Sequence, residues 1–563
     1  MDKFILIISF VVIASAGYSI SHFRAEKRKK RMLEIIRNDW ELIKDNNSDL
    51  SYINEIISYQ RIKTESYEID DITWNDFEMD HVFDKINYTY STMGEVYLYK
   101  MLRNPTNNIE ILHERDRVIE YFLNNGEERI VKQYKLNNIG KFNRTPIEVY
   151  IERIDYLPQV NIIPHIIMPF IVIISIIVIA QIPSIGIVFF FISMIISLLL
   201  YYWTNKTIER YLPLIMQIGG MLNSIKEMND MKDKEELRKY SKTLEKTAVL
   251  SKKYRRYFRL FNSITLGSEP DIDTIYDSFI KPILHIDIIV YQKLINLIKR
   301  NINLLLEAYE TVGFLDSMIS IAAFRYKLVN VRGFGLCKPD LTKQKLHYCA
   351  EDLYNPLLLE PVSNSINTEQ SVLITGSNAT GKSTFLRTIG INAILAQSIY
   401  TVCGKSYSAP MYWIMSSMSI KDNIMNGESY YMKEIKALKR ILDRMNGELP
   451  ILCCIDEVLR GTNTIERIAA ASKILENISK GNVLCFVASH DLELTYILEE
   501  YYKNYHFQES VDDEGIVCDF KLYEDRSYTR NAINLLKFLG YSKDIIDDAK
   551  KRVDHYLDSG MWT

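Results

Sequence analysis

A glycine-rich turn between an apolar strand and a helix, two further apolar runs that end in polar residues, and three long uncharged apolar segments stand out in this chain. Together they predict the fold class: an α/β domain joined to a mostly helical region, with about three membrane-spanning helices. The chain has 563 residues, enough for several cores. Its net charge is −3, so the overall balance does not draw it to nucleic acid, and such binding needs a local basic face. The seven cysteines all lie beyond residue 330 and make no C-x-x-C pair. That usage leaves no zinc pattern and fits reduced thiols in a cytosolic compartment. Adjacent Cys453 and Cys454 read as small hydrophobes, one on each side of a strand.

The first apolar segment runs from Phe4 to Ile20, and Arg24, Lys27, Arg28, Lys29, Lys30 and Arg31 follow at once. A cleaved signal peptide carries its positive charge ahead of the apolar run. The order here favours an anchor with its C-terminal side in the cytoplasm, although Ala14-Ser15-Ala16 resembles a cleavage site. From Asp80 to Asn125 apolar residues recur three and four apart, at Val82, Phe83 and Ile86 and again at Leu98, Met101 and Leu102, so this stretch reads as helical. No Asp, Glu, Lys or Arg occurs from Tyr156 through Asn205. Within it, Ile162 to Ile182 and Ile185 to Trp203 are each long enough to span a bilayer, with a turn at Pro183-Ser184-Ile185-Gly186. Tyr201, Tyr202 and Trp203 sit where interfacial aromatics belong. A soluble helical core rarely runs so long without charge. Residues 206–330 return to a mostly helical pattern, with a long periodic stretch from Tyr291 to Leu315. Lys252, Lys253, Arg255, Arg256 and Arg259, interleaved with Tyr254, Tyr257 and Phe258, read as a solvated helix face. Contact with nucleic acid or lipid headgroups is the alternative.

Gly376-Ser377-Asn378-Ala379-Thr380-Gly381-Lys382-Ser383 fills every fixed position of the P-loop pattern G-x-x-x-x-G-K-[ST]. Ser371 to Thr375 before it reads as a buried strand and Phe385 to Gln397 after it as a helix. The glycines let backbone N–H groups approach a polyphosphate, and the helix start adds a partial positive charge. The nucleotide-binding candidates are therefore Gly376, Ser377, Asn378, Ala379, Thr380, Gly381, Lys382, Ser383 and Thr384, with Lys382 reaching the β- and γ-phosphates and Ser383 ligating Mg²⁺. A second strand, Pro450 to Ile455, ends in Asp456-Glu457. Asp456 is expected to hold the Mg²⁺ shell, and Glu457 to orient or deprotonate an attacking water. A third strand, Asn482 to Ala488, ends at Ser489-His490-Asp491, where His490 can hydrogen-bond a γ-phosphate or that water. The catalytic candidates are thus Glu457 and His490, the metal candidates Ser383 and Asp456, and the cofactors ATP and Mg²⁺.

At these residues the chain resembles the MutS family of ATPases, within the wider ABC class. The resemblance rests on Thr375-Gly376-Ser377-Asn378, on Asp456 through Thr464, on Phe486 through His490, and on Asp422 through Met432, which is similar to the family's signature segment. Upstream, Val82 to Gly94, Leu102 to Pro105, Glu114-Arg115 and Gly313 to Ala323 resemble the family's helical core and lever. The resemblance covers most of residues 78–155 and 305–555. It implies an α/β P-loop ABC-type ATPase domain plus an all-α lever and core domain, a homodimer closed around ATP, and DNA binding. It also places Ser429 across the dimer at the partner's ATP, where the usual preceding basic residue is Glu428.

The organisation expected from these readings is an anchor at 1–23, a basic helical lead at 24–77, and the first part of the helical core at 78–155. A transmembrane hairpin follows at 160–205, the second part of the core at 206–330, and the ATPase domain with C-terminal helices at 331–555. The family's mismatch-reading and connector domains find no room before residue 78, and no Phe-x-Glu wedge is seen there. The expectation is a multi-pass protein of the cell membrane with a cytoplasmic ATPase domain. An ABC-class membrane ATPase acting on a membrane or protein partner without DNA, as transporter half or scaffold, is the alternative.

Overall fold

The computed structural model describes residues 23–24, 26–43, 67–141, 157–227, 234–265, 281–341, 345–377, 380–418, 430–459, 462–512, 515–526, 533 and 540–561. The chain divides into two compact units. The first takes its described residues from Met1–Thr64, Asn87–Tyr99 and Arg117–Ala323, the second from Glu65–Ile86, Lys100–Asp116 and Phe324–Thr563.

In the first unit the secondary structure of the described residues is helical. Arg24 and Lys27 to Arg31 are exposed, while Ile36 and Trp40 further along the same stretch are buried. The Arg129 guanidinium lies 3.3 Å from the Trp40 ring centroid, and Arg37 pairs with Glu127 at 2.8 Å. In Arg238–Thr265, Lys252 and Lys253 are exposed and Tyr254 and Phe258 are buried, the pattern of a one-sided helix. The side chains of Arg255, Arg256 and Arg259 lie outside the described set.

The uncharged region forms two antiparallel helices, Ile162–Gln181 and Pro183–Ile208. The Asn161 side chain caps the first by accepting from Ile163 N at 3.1 Å. The expected four-residue turn at Pro183 to Gly186 is instead the first turn of the second helix. Proline suits that position, since its missing N–H has no partner there anyway. A Cβ on Gly186 would lie 2.4 Å from the Ile179 nitrogen, so only glycine lets the helices approach this closely. Their buried residues mix small and polar side chains, His165, Ser175, Gly186, Ser193 and Ser197, with Met168, Val172, Tyr201 and Ile208. Their outer face is apolar and exposed, as at Ile166, Phe170, Ile173, Ile177, Phe191 and Ile195. Only 22% of each apolar window is buried, unlike the core helix of a soluble protein. Among the described residues two helices, not three, are long and apolar enough to cross a membrane. The expected first span, Phe4 to Ile20, lies outside the described residues.

A buried carboxylate stitches this unit internally. Asp316 accepts from Ser91 N at 2.8 Å, Ser91 Oγ at 2.6 Å and Tyr90 N at 3.1 Å. A Cβ on Gly94 would lie 2.3 Å from its Oδ2. Burial pushes the Asp316 carboxyl up to about 6, against the opposing pull of the Ser91 and Tyr90 bonds.

The second unit is α/β. Its strands are β1 (Tyr348–Leu353), β2 (Asn364–Thr368), β3 (Ser371–Thr375), β4 (Ser406–Ser408), β5 (Trp413–Ser417), β6 (Ile451–Asp456), β7 (Val483–Ala488), β8 (Tyr502–Asp512) and β9 (Gly515–Glu524). The main sheet runs β5-β6-β7-β3-β8-β9, parallel except for the β8–β9 pair, and β2-β1-β4 forms a small antiparallel sheet. β3, β6 and β7 are buried along their whole length, which is why they read as unbroken apolar runs rather than alternating ones. Cys453, Cys454 and Cys485 are buried in this core. The helix after the glycine-rich turn, Lys382–Ile399, is buried almost throughout. A Cβ on its Gly390 would lie 2.2 Å from the Phe77 ring.

Candidate functional site

The chain leaves β3 through Gly376 (φ 146°) and enters Lys382–Ile399 through Gly381 (φ 106°), backbone angles that glycine adopts without strain. Between them, Thr380 Oγ1 donates to Ser377 O at 2.9 Å. The Lys382 ammonium lies inside the loop, donating to Gly376 O at 2.8 Å and Ser377 O at 2.6 Å. Ser377 Oγ donates to Glu509 on β8.

Register brings the other candidates alongside. Ala488 at the end of β7 pairs with Ile374 on one side and with Asp456 on the other, so three strand ends lie level. Ser383 Oγ donates to Asp456 Oδ2 at 2.5 Å. Glu457 holds a left-handed backbone (φ 61°) as its N–H donates to Ala488 O at 2.9 Å. Its Oε1 lies 2.8 Å from His490 Nε2. The turn carrying His490 is pinned from both sides. Asp491 N donates to Ser489 Oγ at 3.0 Å, and Arg467 grips the Asp491 carboxylate at 3.0 and 2.6 Å. That carboxylate raises the Arg467 pKa above the ordinary guanidinium value. Arg467 is presented by Thr464–Ser479, which Asn463 caps by accepting from Ile465 N.

Gly381, Lys382, Ser383, Thr384, Asp456, Glu457 and His490 line one cavity of about 590 Å³. Leu358, Val362, Asn364 and Phe520 also line it. Phe520 also has a left-handed backbone (φ 54°). Asn364 on β2 holds it by donating from Nδ2 to Phe520 O at 3.0 Å and accepting at Oδ1 from Leu522 N at 2.8 Å. A Cβ on Gly381 would lie 3.4 Å from Phe520 Cδ1, so the ring packs close to the P-loop glycine. Sequence reasoning missed Asn364 and Phe520, which carry no local motif. Gly376 and Ser377 contribute carbonyls to Lys382 rather than wall to the cavity, and Thr380 is buried in the loop. Asn378, Ala379 and Ser429 lie outside the described residues.

The chemistry fits a nucleotide with its cation. The lining offers a cation, a hydroxyl and a helix N-terminus for phosphate, and apolar and aromatic side chains for a base. Ser383 and Asp456 are the protein groups that would hold Mg²⁺, an ion that takes few protein ligands and completes its shell with phosphate oxygens and water. Among the described residues no group of three His, Cys, Asp or Glu side chains could hold a metal by itself.

A parallel sheet whose strand ends gather a P-loop, two carboxylates and a histidine at one cavity defines the P-loop nucleotide-binding class. Within it, residues 372–556 match the family model for MutS domain V. The chain is 33% identical over 183 residues to the DNA mismatch repair protein MutS of Aquifex pyrophilus, covering 32% of this chain and 21% of that protein. It is 30% identical over 290 residues to MutS protein homolog 4 of Homo sapiens, covering 48% of this chain and 30% of that protein. Against the DNA mismatch repair protein MutS of Clostridioides difficile (strain 630), identity is 27% over 275 residues, 46% of this chain and 28% of that protein. These matches show a similarity to MutS proteins that is centred on their domain V. The matched part spans 21%, 30% and 28% of those relatives' lengths.

Proposed function

We propose that the chain is a membrane-anchored MutS-type ATPase, binding ATP with Mg²⁺ in the cavity that the P-loop and Phe520 both line and hydrolysing it there to drive movement of its lever helices. The observation that carries this reading is the paired geometry of the cavity: Ser383 with Asp456 at 2.5 Å, and Glu457 with His490 at 2.8 Å. Bound Mg²⁺ would neutralise phosphate charge as the γ-phosphoryl group leaves. Lys382 supplies a fixed positive charge inside the loop, and the start of its helix adds backbone N–H donors. Glu457 takes the proton of the attacking water, and His490 holds the Glu457 carboxylate in one orientation. Phe520 stacks on the base. Two copies of the chain close around two ATP molecules, with Ser429 of the partner subunit completing each site.

The hairpin supports the membrane part of the reading, because its exposed face is apolar. Side chains that would face lipid are apolar, while the polar groups of the two helices, His165, Ser175, Ser193 and Ser197, are buried. The protein is then a multi-pass protein of the cell membrane with its ATPase unit in the cytoplasm. DNA is the partner that the relatives' names point to, since they are mismatch repair proteins. The domain V match favours this account over a transporter half or a scaffold without turnover.

Glu457→Gln, purified in detergent, tests the reading. It should retain ATP and lose hydrolysis by roughly 10²–10⁴-fold, the usual share of a general base. Wild-type turnover in that variant would remove Glu457 from the mechanism. The same ATP-locked protein, titrated with DNA over a salt series, should bind most tightly at low salt if DNA is a partner. No binding above background there would remove DNA from the account.

A further inference from the structure

We propose that His165 and His285 form a buried proton-binding site, whose occupancy sets how firmly the apolar hairpin is held to the helix Ile286–Arg300. This site belongs to the first unit and stands whether or not the nucleotide cavity hydrolyses ATP.

His165, in the first hairpin helix, is 2% exposed, and His285, between Lys281–Leu284 and Ile286–Arg300, is 0% exposed. Their Nδ1 atoms are 2.9 Å apart. Two ring nitrogens at that distance need one hydrogen between them, because two bare lone pairs would repel. The outer nitrogens also have partners. His285 Nε2 lies 3.1 Å from Ser197 Oγ, and His165 Nε2 lies 3.3 Å from Thr204 Oγ1. Thr204 donates its own hydrogen to Leu200 O at 2.9 Å, while Ser197 reaches Pro282 O at 3.3 Å.

Counting hydrogens gives two complete states. In the neutral pair, His285 Nδ1–H donates to His165 Nδ1. His165 Nε2–H donates to Thr204, and Ser197 turns its hydroxyl to the bare His285 Nε2. In the charged pair one added proton sits on His285 Nε2, and Ser197 turns its hydroxyl to Pro282 O. Every donor keeps an acceptor in both states. The exchange is one proton taken up and one hydroxyl rotated, with a carbonyl of Lys281–Leu284 gaining or losing its partner.

Facing groups decide the balance. Tyr201 of the second hairpin helix donates to Asp287 Oδ2 at 2.7 Å, and its ring centroid is 5.6 Å from that of His285. Asp287, on Ile286–Arg300, supplies the carboxylate that favours the charged pair. The first hairpin helix holds no other titratable side chain, and the Lys281 side chain lies outside the described set. Burial pushes the His285 imidazole below its usual range, against the pull of Pro282, Ser197 and Asp287. The sign follows from linkage. With its folded pKa depressed, His285 binds a proton less readily in the folded chain than in the unfolded one, so the packing is fully held above the ordinary imidazole range. It weakens as pH falls through that range.

Hydrogen–deuterium exchange of the full chain in lipid nanodiscs at pH 7.5 and pH 5.5, corrected for intrinsic exchange, reads this out. Protection across 281–300 should fall by about tenfold at the lower pH, the population change that one pH unit below an unperturbed imidazole allows. His165→Gln should be flat across the same range. His285→Asn, chosen because asparagine tolerates the left-handed backbone at this position (φ 54°), should behave alike. A wild type without pH dependence, or variants that keep it, would overturn the proposal. Should a variant fail to fold, ¹⁵N-histidine NMR of the wild type decides. One coupled pair of rings titrating together supports the site, and two rings titrating independently in the ordinary range sink it.

Discussion

Glu457 and Phe520 both hold left-handed backbone angles, φ 61° and 54°, and both line the same cavity. Side chains other than glycine avoid that region, and the surrounding bonds must hold them there. For Glu457 the holding bond runs to Ala488, and for Phe520 it comes from Asn364. Phe520→Ala should lower ATP affinity by about 1–3 kcal/mol, the worth of stacking one base, while Phe520→Tyr should stay near wild type. Isothermal titration with a non-hydrolysable ATP analogue measures both, and equal affinities for wild type and the alanine variant would remove Phe520 from the site. Lys382, Ser383, Asp456, Glu457 and His490 could be named from the sequence because each sits in a short motif whose spacing is local. Phe520 and Asn364 could not, since a side-chain bond between two different sheets, from Asn364 on β2 to Phe520 on β9, makes them neighbours. Asp316 was equally silent. With its carboxyl raised to about 6, the native state holds this proton more tightly than the unfolded chain does. Its contribution is greatest below about pH 4 and is lost as pH rises through about 6. Between pH 4.5 and 6.5 the wild type should therefore lose about 1–2 kcal/mol relative to Asp316→Asn, as denaturant midpoints would report. Parallel pH profiles for the two proteins would contradict this.

At the scale of elements, the hairpin shows how far an apolar pattern reaches. The absence of charge from Tyr156 through Asn205 announced two helices, but not where they join. Proline at a helix start costs nothing, so the second helix begins at Pro183 and only Ile182 separates the two. Nor could periodicity assign the seam, because both faces of each helix are apolar enough in sequence. Packing selected Ser175, Ser193 and Ser197 to face inward, and Gly186 to allow contact with the Ile179 backbone. Gly186→Leu should cost about 1–3 kcal/mol, the range for overpacking a close contact, and lower the melting temperature in detergent. Ile177→Leu on the exposed face should leave that temperature unchanged. An unchanged melting temperature for Gly186→Leu would mean that the helices do not meet there. The β-strands were more legible. β3, β6 and β7 are buried on both faces and end in the motifs, so hydropathy and chemistry mark the same boundaries.

For the whole molecule, the hairpin's exposed apolar face predicts a fate in the cell. The expressed chain should pellet with membranes and stay there through alkaline carbonate washing, as integral proteins do. Release into the supernatant would mean that the hairpin lies against protein rather than lipid. Two properties follow from sequence alone: the P-loop and the carboxylate pair behind a buried strand, and the two long uncharged segments. Both are encoded by neighbours along the chain, through backbone geometry and through the length needed to satisfy helical hydrogen bonds away from water. Tertiary structure alone decided the remainder. It set Ala488 level with Ile374 and Asp456, walled the cavity with Phe520, and pressed His165 against His285. Those placements depend on strand register and helix packing between distant segments, where no single stretch of sequence holds both partners.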